Sequence, residues 1–216
     1  MPIKFITLNK KFKEKMEKNG YECYNMRIEE YEIKRRTYYI SPANSLCFMD
    51  GGLDKTLSRK IFSNIEKEIK EELKKINKKN LLGRYYLPIG SSIIIEREDD
   101  KLLCVSPTML LPQNVSETNN AYYCTMAALY NILINKKEDI NKVDIILTSL
   151  CCGYGKMDID KSINQILKGI KDYKNYKPEK IINENIIINE PNLEEQPKYY
   201  QNTEFFNIDV NDIIKS

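Results

Sequence analysis

The chain has 216 residues, 42 % apolar and 30 % charged, with 34 basic residues against 31 acidic ones and a formal net charge of +3. That length supports one sizeable core with extensions, and so even a charge balance carries no strong nucleic-acid signal. Histidine is absent, which excludes a Ser-His-Asp triad, a Cys-His pair and any histidine-ligated metal, so catalysis would rest on carboxylates, Lys, Tyr, Cys, Asn or the substrate itself.

No run of about 18 apolar residues occurs, and no charged start leads into an apolar segment, so neither a membrane span nor a signal peptide is expected. A cytoplasmic, reducing setting follows as the expectation. The six cysteines, at 23, 47, 104, 124, 151 and 152, sit mostly inside apolar patterns without C-x-x-C spacing. They read as buried free thiols rather than a zinc site, and no metal or cofactor is expected. Nothing in the sequence indicates an oligomeric state.

In chain order, residues 3–8 read as a strand. Asn9 is a good N-cap for a short helix with Phe12 and Met16 on one face, and Gly20 closes it. Residues 21–28 and 37–40 read as the second and third strands. Leu53, Leu57, Ile61, Ile65, Ile69, Leu73 and Ile76 then recur every three or four positions, which predicts one amphipathic helix running to about residue 77 with a solvated Lys/Glu face. Residues 91–96 and 101–105 fit a β-hairpin. Residues 106–120 read as a loop in which Met109, Leu110 and Leu111 either line a pocket or anchor the loop. A helix over 121–133 and a continuous apolar run over 143–147, of the kind a buried parallel strand shows, follow. Ile159, Ile163, Ile166, Leu167 and Ile170 mark a last amphipathic helix. Residues 1–173 form the expected domain. Residues 174–216, with one apolar patch at 181–188, read as an extension that adds an edge strand or docks as a tail.

Two loops concentrate residues with special backbone meaning. Residues 41–54, SPANSLCFMDGGLD, lie between a strand and a helix. Gly51 and Gly52 permit positive φ and close approach to a ligand, and the N–H groups of the following first turn suit a phosphate or diphosphate. Asn44, Asp50 and Asp54 add groups suited to sugar hydroxyls. Residues 149–157, SLCCGYGKM, repeat the strand, glycine turn and helix context. They are not a P-loop, because Met follows Lys156. Two such strand ends are what a ligand crevice at the carboxyl edge of an α/β sheet requires. The vicinal Cys151 and Cys152 read as small residues finishing a buried strand rather than as a redox pair.

On these residues the chain resembles a macro domain, in particular the divergent group whose first loop reads SPANSFGFMDGGID, from which Leu46 and Cys47 depart. The likeness extends in element order over residues 3–173, through Leu-Pro-Ile-Gly at 87–90 and Pro-Thr-Met at 107–109. It implies an α/β fold in three α/β/α layers around a mixed central sheet, with ADP-ribose across the crest of the sheet. By that likeness Asn44 contacts the distal ribose, while Asp50, Gly51, Gly52 and Leu53 surround that ribose and the diphosphate. Cys152, Gly153, Tyr154 and Gly155 cradle the diphosphate from the other side. The second loop departs from the family spacing by one residue, and Glu29 and Glu30 are the nearest candidates for an adenine-binding carboxylate.

The resemblance implies a reader of ADP-ribose or of ADP-ribosylated targets. The alternatives are a hydrolase that removes ADP-ribose from a macromolecule or metabolite, and an interaction module with a degenerate pocket. In the hydrolase Asp54 would orient or activate water and Asn44 would hold the ribose. A carboxylate at a helix N-terminus is expected to have a low pKa and to make a poor general base.

Overall fold

The computed structural model describes residues 2–79, 83–97, 99–178, 180–182 and 185–187. Its main sheet has six strands in the order β2-β1-β6-β3-β5-β4. These are β1 (Ile3–Thr7), β2 (Glu22–Asn25), β3 (Thr37–Ser41), β4 (Ile93–Ile95), β5 (Lys101–Val105) and β6 (Asp144–Leu147). The first three, β5 and β6 run parallel, and only β4 is antiparallel, paired with β5 in the expected hairpin.

Helices cover both faces, which is why the central strands are apolar throughout rather than alternating with polar residues. Tyr38, Ile40, Leu102, Cys104, Ile145 and Leu147 point to one face. There they meet α1 (Lys10–Lys18), α4 (Asn120–Tyr130) and α5 (Ile159–Asp172). Tyr39, Leu103, Val105 and Ile146 point to the other, against α2 (Gly52–Thr56) and α3 (Ile65–Ile76) with the turn between them. The result is the expected three-layer α/β/α fold with a mixed sheet. No helix among the described residues is long and apolar enough to cross a membrane.

The local signals act as the sequence indicates at α1. The Asn9 side chain accepts from the Phe12 N–H at 3.0 Å, and Gly20 takes φ +82° just beyond the end of the helix. Two elements differ from expectation. The second strand is short, because residues 28–30 form a 3-10 turn instead. The predicted long helix is also broken: α2 passes into a π turn at Leu57–Ile61 and stops, and α3 restarts after Asn64 at φ +60°. Phe62 leaves the helix to pack edge-on against Tyr39 at 5.6 Å, and the Arg97 guanidinium covers the freed Ser63 carbonyl. The apolar stripe runs unbroken through a helix that is not, because Leu57, Ile65, Ile69, Leu73 and Ile76 are all buried on the same face of the sheet.

Beyond α5, Tyr173–Asn175 form a 3-10 turn, and the Tyr176 hydroxyl donates to the Gly90 carbonyl. β7 (Lys180–Ile182) and β8 (Asn185–Ile187) pair antiparallel as a separate two-stranded sheet. Residues 188–216, including the end of the apolar patch, lie outside the described residues.

Candidate functional site

Five parallel strands end on one edge of the sheet, and the loops that follow β1, β3, β5 and β6 meet there around a crevice of about 540 Å³. That size lies within the usual range for small-molecule sites, and the position, outside the carboxyl ends of the strands, is where α/β sheets bind ligands.

The first loop is stitched down before it reaches the crevice. Thr108 donates from its N–H to Ala43 O and from its hydroxyl to Pro42 O, both at 2.9 Å, and Ser45 N donates to Met109 O at 2.8 Å. Cys47 holds φ +57°, a left-handed conformation that favours glycine.

Asn44, Asp50, Gly51, Gly52, Leu53 and Asp54 all line the crevice, but they differ in availability. Asn44 is 6 % exposed, and its side chain is committed to its own loop. Its Oδ1 accepts from Leu46 N at 3.0 Å and Phe48 N at 3.4 Å, and its Nδ2 donates to Phe48 O at 3.2 Å. Gly52 adopts φ +52°.

Asp54 departs from the sequence expectation. Enclosure in the crevice pushes its pKa up to about 6, and the Asp50 charge adds to this, against a hydrogen bond from Ser41 that opposes it. The Ser41 hydroxyl donates to Asp54 Oδ1 at 2.7 Å. The helix-dipole argument for a low value is outweighed, because burial and the neighbouring Asp50 charge raise the pKa more than the Ser41 hydrogen bond lowers it. A carboxyl that titrates near neutrality is suited to proton transfer.

The second loop, 148–158, closes the other side. Gly153, Tyr154 and Gly155 line the crevice, together with Thr148, Ser149 and Cys151. Cys152 does not. Its thiol turns back 3.3 Å from Leu150 O, and Cys151 stands at the wall in its place, at φ +63°. Both cysteines lie in the turn rather than at the end of β6, and burial pushes the Cys151 thiol up to about 12 and raises Cys152. Thiols so far from ionisation are poor nucleophiles and poor redox sensors. Asp158 caps α5 itself, accepting from the N–H groups of Asp160 and Lys161. Among the described residues, however, the N–H groups of Gly153, Tyr154 and Gly155 donate to no protein acceptor. Such a run of open amides in a tight turn makes a concavity suited to an anion.

The glycines of this loop have separable roles. A Cβ on Gly155 would lie 2.4 Å from Cys151 O and 2.7 Å from Val115 Cγ2, whereas one on Gly153 would meet nothing within 4 Å. Gly155→Ala is therefore expected to cost about 3 kcal/mol through overpacking, seen as a lower midpoint in urea with an unchanged slope. Gly153→Leu is expected to leave that midpoint within about 0.5 kcal/mol of wild type while filling the crevice. Tyr154 is 67 % exposed, and its ring lies across the mouth beside Gly51.

Several lining residues carry no sequence signal of their own. Ile6 and Thr7, at the end of β1, are two. Leu8, Met26, Arg27 and Ile28 are others, and with Glu29 they form the far wall. Met109 reaches the crevice, whereas Leu110 and Leu111 do not. Of the two acidic candidates, Glu29 lines the wall, and Glu30 instead accepts from the Arg27 N–H at 3.1 Å.

The class defined by fold and site is a three-layer α/β/α protein with an open crevice at its strand ends. No model of a known protein family matches the chain, and no curated protein matches it. Among solved structures it is similar to a mutant of the Oceanobacillus iheyensis macrodomain, at 17 % identity over 70 % of this chain and 73 % of that one, with a TM-score of 0.48.

Proposed function

We propose that residues 1–173 form a domain that binds ADP-ribose, or a related NAD-derived nucleotide, in this crevice and acts as a reader of that ligand or of targets carrying it. Residues 174–216 are an extension to it. The observation that carries the reading is the set of open amides at residues 153–155, across the crevice from a first loop that presents Gly51, Gly52 and two carboxylates. One side suits a diphosphate and the other suits sugar hydroxyls, as the sequence motif leads one to expect. The crevice is open, which argues against a module that has lost its pocket.

A hydrolytic reading is favoured by one observation, the Asp54 carboxyl with its pKa near 6 at the crevice wall. In its ionised form such a group accepts a proton from water as the water oxygen bonds to the anomeric carbon and the leaving group departs with the glycosidic electron pair, taking a proton from solvent. Incubation with an ADP-ribosylated peptide separates the two readings, since only the hydrolase releases free ADP-ribose.

Titration calorimetry tests the binding. ADP-ribose is expected to bind wild-type protein saturably and to bind Gly153→Leu at least about tenfold more weakly, because the side chain occupies ligand volume. Equal affinities in the two proteins would contradict a ligand seated against the second loop.

A further inference from the structure

We infer that Arg27 selects a ligand carrying a further phosphate monoester at the 2′ position of its adenosine ribose, so that the crevice prefers the NADP-derived ADP-ribose 2′-phosphate to ADP-ribose itself. This rests on the ADP-ribose reading and narrows its ligand. Among the described residues that line the crevice, Arg27 is the one cation, set against Glu29, Asp50 and Asp54. It is exposed, and its guanidinium donates to no protein acceptor among the described residues. Glu29, on the same wall, closes no ion pair with it. A permanent positive charge with all its side-chain donors unused therefore stands at the crevice wall.

The fold brings this group to one end of the ligand. β1, α1 and β2 form a parallel βαβ unit, and Arg27 lies just beyond the carboxyl end of β2. In nucleotide-binding units of this kind the end of the second strand meets the adenosine ribose, where a carboxylate suits free hydroxyls and an arginine accommodates a 2′-phosphate. β1 separates β2 from β6, and neighbouring strands lie about 4.8 Å apart, so the ends of β2 and β6 are about 10 Å from each other. A diphosphate on the open amides of residues 153–155, which follow β6, thus leaves Arg27 for the adenosine half. The second sugar runs the other way, towards the loop after β3.

The backbone that carries the guanidinium is fixed. The Arg27 N–H donates to Glu30 Oε2 at 3.1 Å, and Arg27 O accepts from Glu30 N at 3.1 Å. Leu8, 71 % exposed, and Met26 share the wall and offer apolar surface that suits a base. Arginine holds phosphate through paired, charge-assisted hydrogen bonds, so a monoester within its reach gains affinity that a ribose hydroxyl does not.

Calorimetry at fixed ionic strength tests this with ADP-ribose and ADP-ribose 2′-phosphate in wild type, Arg27→Gln, Arg27→Lys and Lys10→Gln, with melting temperatures recorded for each. Wild type should bind the 2′-phosphate at least about tenfold more tightly than ADP-ribose. Arg27→Gln should bring that ratio to about one. Arg27→Lys should keep a ratio of about three, because a point charge lacks the paired geometry. Lys10→Gln removes the same charge from the start of α1, outside the crevice lining, and should keep the full preference. Equal affinities for the two ligands in wild type would overturn the inference and leave the ADP-ribose reading standing. So would a preference that survives in Arg27→Gln, or one that Lys10→Gln loses as fully, the mark of diffuse charge. If wild-type protein binds neither ligand, the ADP-ribose reading itself fails and the inference falls with it.

Discussion

Replacing Asp144 by Asn should lower stability by about 3 kcal/mol, and the melting temperature by about 6–12 °C, the largest loss expected of any single polar substitution in this chain. Asp144 opens the central strand β6 at the edge of the sheet opposite the crevice, with its side chain only 1 % exposed. Lys4 Nζ lies 2.8 Å from Oδ2, and the Arg35 guanidinium engages Oδ1 at 2.5 and 2.9 Å. Removing the charge leaves Lys4, whose side chain is 14 % exposed, with the Tyr31 hydroxyl at 3.2 Å and the half-exposed Glu22 carboxylate at 4.0 Å in place of its buried counter-charge. Arg35 is partly solvated and contributes less, which places the figure at the lower end of the range for breaking buried pairs.

The pH dependence of this site has a definite sign. Burial alone would raise the Asp144 pKa, but the hydrogen bonds from Arg35 and Lys4 outweigh it and hold the carboxyl below its ordinary value of 3.8. A depressed carboxylate contributes stability above its unfolded value and loses it as pH falls through its folded one. The gap in stability between wild type and Asp144→Asn should therefore be full near neutrality and should shrink below about pH 4, as urea unfolding across that range would show.

Asp54→Asn should do the opposite. The rise in the Asp54 pKa from 3.8 to about 6 means that the folded state disfavours the ionised form. A group raised in this way supports the fold below about pH 4, and the support is lost as pH climbs to about 6. At about 1.4 kcal/mol for each tenfold change in proton affinity the full cost near neutrality is about 3 kcal/mol, reduced to about 2 by the water that reaches the crevice. The neutral amide still accepts the Ser41 hydroxyl and escapes this cost. The variant should melt about 4–8 °C above wild type at about pH 7.5 and show no gain at about pH 4. A stabilised variant with weakened ADP-ribose binding would identify Asp54 as a residue kept for the ligand at the expense of the fold.

How far these features were legible in the sequence depended on how local their causes are. The apolar run before residue 148 reads as a buried parallel strand because both faces of β6 are covered, and its four residues are all buried. Asn9 and Gly20 reveal the ends of α1, since capping is chemistry between near neighbours. The break between α2 and α3 left no trace in the apolar stripe, because it depends on Tyr39 and Arg97, both distant in sequence.

The site divides in the same way. The glycine turns of both loops could be read, as their backbone demands are local. The side chains could not. The raised pKa of Asp54 depends on its burial in the folded crevice, and the commitment of Asn44 depends on the path of residues 44–48. The substitution of Cys151 for Cys152 at the wall turns on a positive φ that no spacing discloses.

Thermal unfolding with and without ADP-ribose, with AMP and NAD as controls, tests the central claim most directly. At a ligand concentration about one hundred times Kd, mass action adds about 2.7 kcal/mol, which for a chain of this size raises the melting temperature by about 5–10 °C. A rise of that order with ADP-ribose, and a smaller one with AMP, is the result expected of a crevice that engages both the diphosphate and the second sugar. No rise with any of the three ligands, in protein that melts cooperatively, would contradict it.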